Sequence, residues 1–170
     1  DEHGSTDETN VDLSIIDTTD AQLPMHDKSI LIAEDSPMSR KFLVKMMNKL
    51  GAARVDQAKD GAVALELFRT ALAEGRTYDA ILTDIDMPNL TGDALAERIR
   101  TLGFDGPIIA VTGHCLEDDR NQLLSSGISE IIFKPVTQST ILRVVGHALG
   151  IPENSFATIS SMSGPPSRAQ

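Results

Sequence analysis

The strongest constraint on the fold is a fivefold alternation between short apolar segments and longer segments with helical periodicity. The apolar segments have the length of β-strands, and most of them lack the polar alternation of a half-exposed strand. Strands that are apolar on both sides are covered on both faces, and helices between them imply a parallel sheet. The predicted strands are Ser29–Ala33, Arg54–Ala58, Asp79–Thr83, Pro107–Thr112 and Ser129–Phe133.

The segments between the strands repeat their apolar residues at helical spacing. The predicted helices are Pro37–Leu50, Asp60–Ala73, Thr91–Leu102, Leu116–Ser126 and Val136–Leu149. Ser36 is a candidate N-cap before Pro37, which suits a first helical turn, and Gly51 suits a helix end. Apolar residues recur every four positions in the first two helices: Met38, Phe42, Met46 and Leu50 in the first, and Val63, Leu67 and Ala71 on one face of the second.

The negative charge is concentrated at the amino terminus. Residues 1–27 hold eight acids and no Lys or Arg, whereas residues 28–150 hold 16 acids and 14 bases, a net charge of −2. We therefore predict an acidic, mostly disordered linker over 1–27, a folded domain over 28–150 and a disordered tail over 151–170. No part of the chain has the basic excess that nucleic-acid binding usually needs, so we expect no nucleic-acid partner.

Several features bear on the cellular setting. No apolar run approaches the roughly 18 residues of a membrane span, and the acidic start is unlike a signal peptide. One cysteine, Cys115, excludes an internal disulfide framework and fits a reducing compartment. The first residue is Asp instead of Met, so we expect a fragment of a longer product. The expected location is cytoplasmic, with no direct membrane contact.

Charged and polar residues follow the predicted strands at the edge where such sheets bind ligands. Glu34 and Asp35 follow the first strand, Asp84 follows the third, Thr112 ends the fourth and Lys134 follows the fifth. Crowded carboxylates repel one another unless a cation joins them. Mg²⁺ typically takes one or two carboxylates together with carbonyl, water or phosphate oxygens. The pattern therefore favours an Mg²⁺ site.

Five segments carry a resemblance to a known family. They are AEDS (33–36), QAKDGAVAL (57–65), ILTDIDMPNLTG (81–92), PIIAVTGH (107–114) and FKP (133–135). In this order the segments resemble the receiver domain of response regulators in two-component signalling, over residues 28–150. The resemblance implies a doubly wound α/β fold of the flavodoxin and CheY type, with five parallel strands in the order 2-1-3-4-5 and five helices.

The resemblance also implies residue roles. Asp84 would be the phosphoacceptor, Asp35 a direct Mg²⁺ ligand, Glu34 a ligand through water, Asp86 a ligand through its backbone carbonyl, Thr112 a hydrogen-bond donor to the phosphoryl group, and Lys134 its ion-pair partner. The Lys134–Pro135 peptide bond would be cis. His114 lies where family side chains influence dephosphorylation, and Cys115 is expected to be inert.

One switch position departs from the family pattern. Many receivers have Phe or Tyr three residues before the lysine, and that ring turns inward on phosphorylation. The position is Ile131 here, which has no ring and a stiff branched side chain. We expect Ile131 to pack in the core and the response to concentrate at Thr112–Cys115.

The implied phosphodonor is a histidine kinase, through its dimerisation or phosphotransfer domain, and a histidine phosphotransfer protein is a further candidate partner. The segment would then be a phosphoacceptor with at most self-dephosphorylation. PIIAVTGH, the acidic linker and the start at Asp1 favour the carboxyl-terminal receiver of a hybrid histidine kinase over a stand-alone regulator. Such a kinase could be membrane-bound, with this segment on the cytoplasmic side.

Two other functions compete with this interpretation. Asp84-Ile85-Asp86 resembles the nucleophile and acid of haloacid-dehalogenase-type phosphatases, but Pro88 stands where that motif has Thr or Val, and only 86 residues follow Asp84. A receiver-like scaffold that is never phosphorylated would normally have lost an acid or the lysine, and all are present.

Overall fold

The computed structural model describes residues 23–113 and 117–156 of the chain, with the side chains of 117 and 118 excepted. Strands and helices alternate along this part of the chain. The elements are β1 (Ser29–Ala33), α1 (Pro37–Lys49), β2 (Arg54–Ala58), α2 (Gly61–Ala73), β3 (Ala80–Asp84), α3 (Gly92–Thr101), β4 (Ile108–Thr112), α4 (Glu117–Ser125), β5 (Glu130–Phe133), α5 (Gln138–Ala148) and a 3₁₀ turn (Glu153–Phe156).

The strands form one parallel sheet in the order β2-β1-β3-β4-β5, which confirms the predicted order. The register pairs Ala33 with Thr83, Asp84 with Val111, and Thr112 with Phe133. The carboxyl ends of β1, β3, β4 and β5 therefore meet at one edge of the sheet.

Each face of the sheet is covered by its own group of helices. Ile30 and Ile32 of β1 pack in a core with α1 and α5, whereas Leu31 and Ala33 pack in a second core with α2, α3 and α4. This division follows from the alternation of side chains along a strand. Because both faces are covered, the central strands are apolar except at their ends, as the sequence indicated.

Helix starts follow the capping chemistry of the sequence. Ser36 caps α1 by accepting a hydrogen bond from the Ser39 amide, which confirms the predicted cap. Asp60 caps α2 through the Val63 amide at 2.8 Å. Asp60 therefore lies before the helix, whereas the predicted range placed it within the helix.

The apolar residues that recur every four positions in α1 and α2 are only partly buried. Met38 is 83% exposed, and the buried residues of α1 are Leu43, Met46 and Met47. The α2 helix buries Gly61, Ala64, Leu65, Phe68 and Ala71, and Val63 and Leu67 are only partly buried. A row of residues four apart turns slowly away from the sheet, because four residues exceed one helical turn of about 3.6 residues.

Strand β3 begins and ends one residue later than predicted. Asp84 is its last residue and pairs with Val111 in the ladder. Asp79 precedes the strand, and its carboxylate accepts a hydrogen bond from the Ser29 amide at 2.7 Å. Asp84 is therefore held by the sheet itself, which fixes the position of its carboxylate.

Packing extends beyond residues 28–150 at both ends. Met25 is fully buried in the α1/α5 core, and its amide donates to the Leu50 carbonyl at 3.0 Å. Ile151 and Phe156 pack against the same core. The outer parts of the linker predicted over 1–27 and of the tail predicted over 151–170, which are residues 1–22 and 157–170, lie outside the described residues, as do His114 and Cys115. No helix in the described part of the chain is long and apolar enough to cross a membrane.

Candidate functional site

The site lies at the carboxyl-terminal edge of the sheet, where loops bring together three carboxylates and one amine. Glu34 and Asp35 follow β1, Asp84 ends β3 and Lys134 follows β5. One carboxylate oxygen from each of the three acids lies within 4.8 Å of the others. Lys134 Nζ lies 3.2 Å from Asp84 Oδ2 and 3.1 Å from Glu34 Oε2. The structure thus brings these four residues together, as the sequence predicted.

Asp84 is held in one orientation by hydrogen bonds to both of its carboxylate oxygens. Oδ1 accepts from the amides of Ile85 at 2.7 Å and Asp86 at 3.3 Å. Oδ2 accepts from Lys134 Nζ at 3.2 Å. The residue is 7% exposed, so its carboxylate is reached only from the open edge of the sheet. This arrangement suits a nucleophile that must stay charged and aligned.

Lys134 forms a bridge between two carboxylates. Burial alone lowers the pKa of this lysine, but its hydrogen bonds to Glu34 and Asp84 outweigh burial and raise the pKa above its ordinary value. The ammonium group is therefore charged at neutral pH. Its backbone amide donates to the Thr112 carbonyl at 2.8 Å, which ties the lysine to the end of β4. The Lys134–Pro135 peptide bond is cis, as the resemblance implied.

Glu34 is fully buried beside these groups. Its Oε1 accepts from the Ser36 amide at 3.2 Å. Its Oε2 faces Lys134 Nζ at 3.1 Å but accepts no hydrogen bond of acceptable geometry. Burial, aided by the nearby Asp84 charge, raises the pKa of Glu34 although Lys134 acts in the opposite direction. A buried carboxylate oxygen without a hydrogen bond is costly, and it marks a place where a ligand would be favourable.

This donor set fits a hard divalent cation. Three acids that converge within 4.8 Å offer only oxygen ligands, and one of them has an oxygen without a hydrogen bond. Asp35 is exposed, so the cluster opens to solvent on one side. Oxygen-only sites that keep an open side suit Mg²⁺, which retains several waters.

The remaining predicted residues surround the cluster. Thr112 is fully buried at the end of β4, one strand away from Asp84. Asp86 has an exposed side chain in the loop after β3. Ile131 lies farther down β5, opposite Ala110, and packs against the core on the α2/α3/α4 face. Ile131 therefore makes no direct contribution to the acidic cluster.

Sequence reasoning missed two features of the site. Arg40 donates from Nη1 to the Glu34 carbonyl at 2.7 Å and so fixes the loop that carries Glu34 and Asp35. Asp60 accepts a hydrogen bond from Asn89 of the β3–α3 loop at 3.0 Å. Asp60 lies within one of the family-like segments, but no spacing rule connects it to Asn89, which is 29 residues away.

The fold and the site together define a class. A doubly wound parallel domain with acids, a threonine and a lysine at the carboxyl-terminal edge of its sheet has the organisation of a signalling receiver. The family model of the response regulator receiver domain matches residues 30–146, and the chain belongs to that family.

Two curated relatives and one solved structure illustrate the similarity. Two-component system protein A of Emericella nidulans is 36% identical over 123 residues, which are 72% of this chain and 18% of that protein. Sensor histidine kinase RcsC of Salmonella typhimurium is 34% identical over 125 residues, 73% of this chain and 13% of that protein. The chain therefore spans less than a fifth of either relative.

The solved structure is the receiver domain of sensor histidine kinase PA1611 from Pseudomonas aeruginosa PAO1, with a magnesium ion coordinated in the active site cleft. It is 31% identical to this chain with a TM-score of 0.60, and the match covers 72% of this chain and 98% of that domain.

Proposed function

We propose that Asp84 accepts a phosphoryl group from a phosphohistidine in a Mg²⁺-dependent transfer, and that the domain acts as a conformational switch in a phosphorelay. The observation that carries this proposal is the convergence of Glu34, Asp35 and Lys134 on the aligned carboxylate of Asp84. Phosphoryl transfer needs little beyond a positioned nucleophile and neutralisation of the oxygens of the transferred group. Those are the two functions that this cluster provides.

In the transfer, a carboxylate oxygen of Asp84 forms a bond to phosphorus while the phosphorus–nitrogen bond of the phosphohistidine breaks. The electron pair of the broken bond returns to the imidazole nitrogen, and Asp84 becomes an acyl phosphate. The hydrogen bonds from Ile85 and Asp86 hold the carboxylate in line. Lys134 is close enough to Asp84 Oδ2 to pair with a phosphoryl oxygen, and Thr112 supplies a hydroxyl donor.

The residues that would hold Mg²⁺ are Asp35 and Asp84 directly, Glu34 through water and Asp86 through its backbone carbonyl. Bound Mg²⁺ would supply positive charge to the oxygens of the transferred phosphoryl group. Without a cation the clustered acids repel one another, and the Asp84 charge adds to burial in raising the pKa of Glu34.

The parent protein is inferred to be a hybrid histidine kinase. Support comes from the two curated relatives, one of which is named a sensor histidine kinase, and from the small fraction of each that this chain spans. Its direct partners would be the phosphohistidine domain of a kinase and a histidine phosphotransfer protein. The expected location of this segment is the cytoplasm.

The test is phosphorylation by acetyl phosphate, followed on a phosphate-affinity gel. With Mg²⁺ we expect one acid-stable, base-labile product, which is lost in EDTA and absent in Asp84→Asn. Asp86→Asn is the matched control, because Asp86 contributes its backbone and not its carboxylate, so this variant should still be labelled. Full labelling of Asp84→Asn, or labelling that EDTA does not reduce, would contradict the proposal. Steady phosphate release from many small phosphoesters would favour the phosphatase alternative.

A further inference from the structure

The loop between β3 and α3, residues 85–91, is attached to the start of α2 by a shared carboxylate. Asn89 Nδ2 donates to Asp60 Oδ2 at 3.0 Å. The other oxygen of Asp60 accepts from the Val63 amide at 2.8 Å and caps α2. Asp60 is 5% exposed and lies outside the acidic cluster. One buried side chain therefore fixes both a helix start and the loop that contains Asp86.

The backbones of α2 and this loop also meet directly. A Cβ atom added to Gly61 would lie 2.1 Å from the Leu90 carbonyl oxygen, a distance that no real Cβ contact allows. The first turn of α2 can therefore approach the loop only because residue 61 has no side chain. This contact and the Asp60–Asn89 hydrogen bond hold the loop at adjacent points.

Asn89 has a φ angle of 68°, in the left-handed region that non-glycine residues rarely adopt. Such a conformation persists where its surroundings determine it. On the other side of Asn89, the Gly92 amide donates to the Ile85 carbonyl at 2.9 Å and closes the loop. A Cβ on Gly92 would lie 2.1 Å from the Asp84 carbonyl oxygen, so the closed loop lies directly against the end of β3.

The segment after β2 reaches the other acidic loop as well. The Glu34 amide donates to the Ala58 carbonyl at 3.1 Å. Residues 58–61 therefore contact both the loop that follows β1 and the loop that follows β3. The first of these loops bears Glu34 and Asp35, and the second begins directly after Asp84.

From these contacts we propose that Asp60 and Asn89 are positioning residues for the cation site. Their hydrogen bond holds the β3–α3 loop in the conformation that presents Asp86 to Mg²⁺ and the amides of Ile85 and Asp86 to the Asp84 carboxylate. Neither residue touches the reacting groups, so their effect passes through the loop backbone. The inference rests on the proposed function, since it concerns the same Mg²⁺ site.

The first variant is Asn89→Gly, which removes the amide donor but keeps a residue that tolerates positive φ. The second is Asp60→Ser, whose hydroxyl still caps α2 but is too short to reach Asn89. Mg²⁺ alone is the probe, titrated into the chain while backbone amide shifts are followed by NMR. Each variant should bind Mg²⁺ about two- to tenfold more weakly, the weight of one hydrogen bond. The double variant should bind like either single variant, because one bond is lost in all three.

Asp79→Ser is the matched control. This variant removes the hydrogen bond that the Ser29 amide donates to the Asp79 carboxylate, next to the opposite end of β3. This variant should be less stable in urea yet bind Mg²⁺ like the wild type.

Unchanged Mg²⁺ affinity in Asn89→Gly, with a wild type that binds Mg²⁺, overturns the positioning role and leaves the proposed function intact. An equal loss of Mg²⁺ affinity in Asp79→Ser also overturns it, because the loss would then come from lower stability of the fold in general. A wild type that binds no Mg²⁺ overturns the proposed function itself, and the inference with it.

Discussion

The charged groups at the two edges of the sheet differ in how fully they are paired. At the carboxyl-terminal edge, three carboxylates converge, two of them share the amine of Lys134, and Glu34 keeps an oxygen without a hydrogen bond. At the amino-terminal edge, Arg54 donates two hydrogen bonds to Asp56, and Arg100 donates to several acceptors. One edge therefore stabilises the fold, while the other holds repelling groups whose best partner is a ligand.

Arg100 shows how completely the amino-terminal edge is satisfied. Its guanidinium donates to the carbonyls of Phe104, Gly106 and Gly127 and to the Ser129 hydroxyl. These contacts join α3 to the segments that enter β4 and β5. Burial lowers the pKa of Arg100, but an arginine stays charged throughout the range in which proteins fold.

A second cluster lies at the start of β2. Arg54 donates twice to Asp56 Oδ2, at 2.9 and 2.7 Å, and the Tyr78 hydroxyl donates to the same oxygen at 2.5 Å. The Arg54 guanidinium also lies 5.0 Å from the centre of the Tyr78 ring. Asp56 has two side-chain donors to itself, whereas Glu34 and Asp84 at the other edge share one lysine.

The largest effect on stability is expected from Arg100→Met. Three carbonyls would lose their donor, so the free energy of unfolding should fall by about 3 kcal/mol in urea denaturation. The Mg²⁺ affinity of the folded protein should not change, because the lost bonds lie at the opposite edge. Arg98→Met is the control, since Arg98 lies on the same helix with an exposed side chain, and it should cost little. A drop in Mg²⁺ affinity in Arg100→Met would remove the distinction between the two edges.

At the carboxyl-terminal edge, we expect removal of a charge to raise the free energy of unfolding instead of lowering it. Because burial and Asp84 disfavour the charged form of Glu34, Glu34→Gln should stabilise the protein in EDTA by about 1 kcal/mol. In excess Mg²⁺ the order should reverse, since tighter binding by the wild type adds stability by mass action. Glu66→Gln, which alters an exposed ion pair with Arg69, should change neither value. If Glu34→Gln is the less stable protein in EDTA, the acidic cluster is not a source of repulsion.

Tyr78→Phe tests the contribution of the amino-terminal edge through the pH dependence of stability. Burial, together with the bond to Asp56, raises the pKa of Tyr78 from 10.0 to about 12. The folded state therefore keeps a proton that the unfolded state releases, so this stabilisation is complete below pH 10 and is lost as pH rises through about 12. The variant should lose about 1 kcal/mol at neutral pH and should lack this part of the alkaline decline.

Tyrosinate absorbance reports the titration directly, because Tyr78 is the one tyrosine in the chain. A folded-state titration at the ordinary pKa of tyrosine would contradict the assignment.

Much of the fold and of the acidic cluster was predictable because both depend on where strands end. Apolar segments bounded by polar residues placed every strand to within one residue, and parallel strands bring their carboxyl ends to one edge. Glu34, Asp84 and Lys134 followed from that rule alone. The family resemblance was needed only for their separate roles.

Two kinds of detail were not predictable. Met38, Phe42, Met46 and Leu50 are four residues apart, and each step adds about 40° of rotation, so Met38 leaves the face on which Leu50 is buried. The Asp60–Asn89 bond depends on the left-handed backbone of Asn89. The local sequence does not specify which acceptor the Asn89 side chain would bond to.

The smallest expected effect concerns how the carboxyl-terminal edge signals to the rest of the domain. Ile131 is partly buried and packs against the core, opposite Ala110. The nearest aromatic residue on the strand is Phe133, which pairs with Thr112 in the ladder and is 49% exposed. Since Ile131 has no ring to turn inward, we expect the response to phosphorylation to remain near Thr112.

The measurement is the change in amide chemical shifts on adding beryllofluoride and Mg²⁺, which together mimic a phosphoryl group on Asp84. The changes should concentrate at Thr112–Cys115 and be weaker in α4 and β5. Ile131→Ala should keep this pattern, because a packing residue affects stability more than signalling. Phe133→Leu is the matched control for the exposed ring on the same strand. The interpretation fails if α4 and β5 shift as strongly as the loop and Ile131→Ala abolishes that shift in a folded protein, because Ile131 would then transmit the signal without a ring.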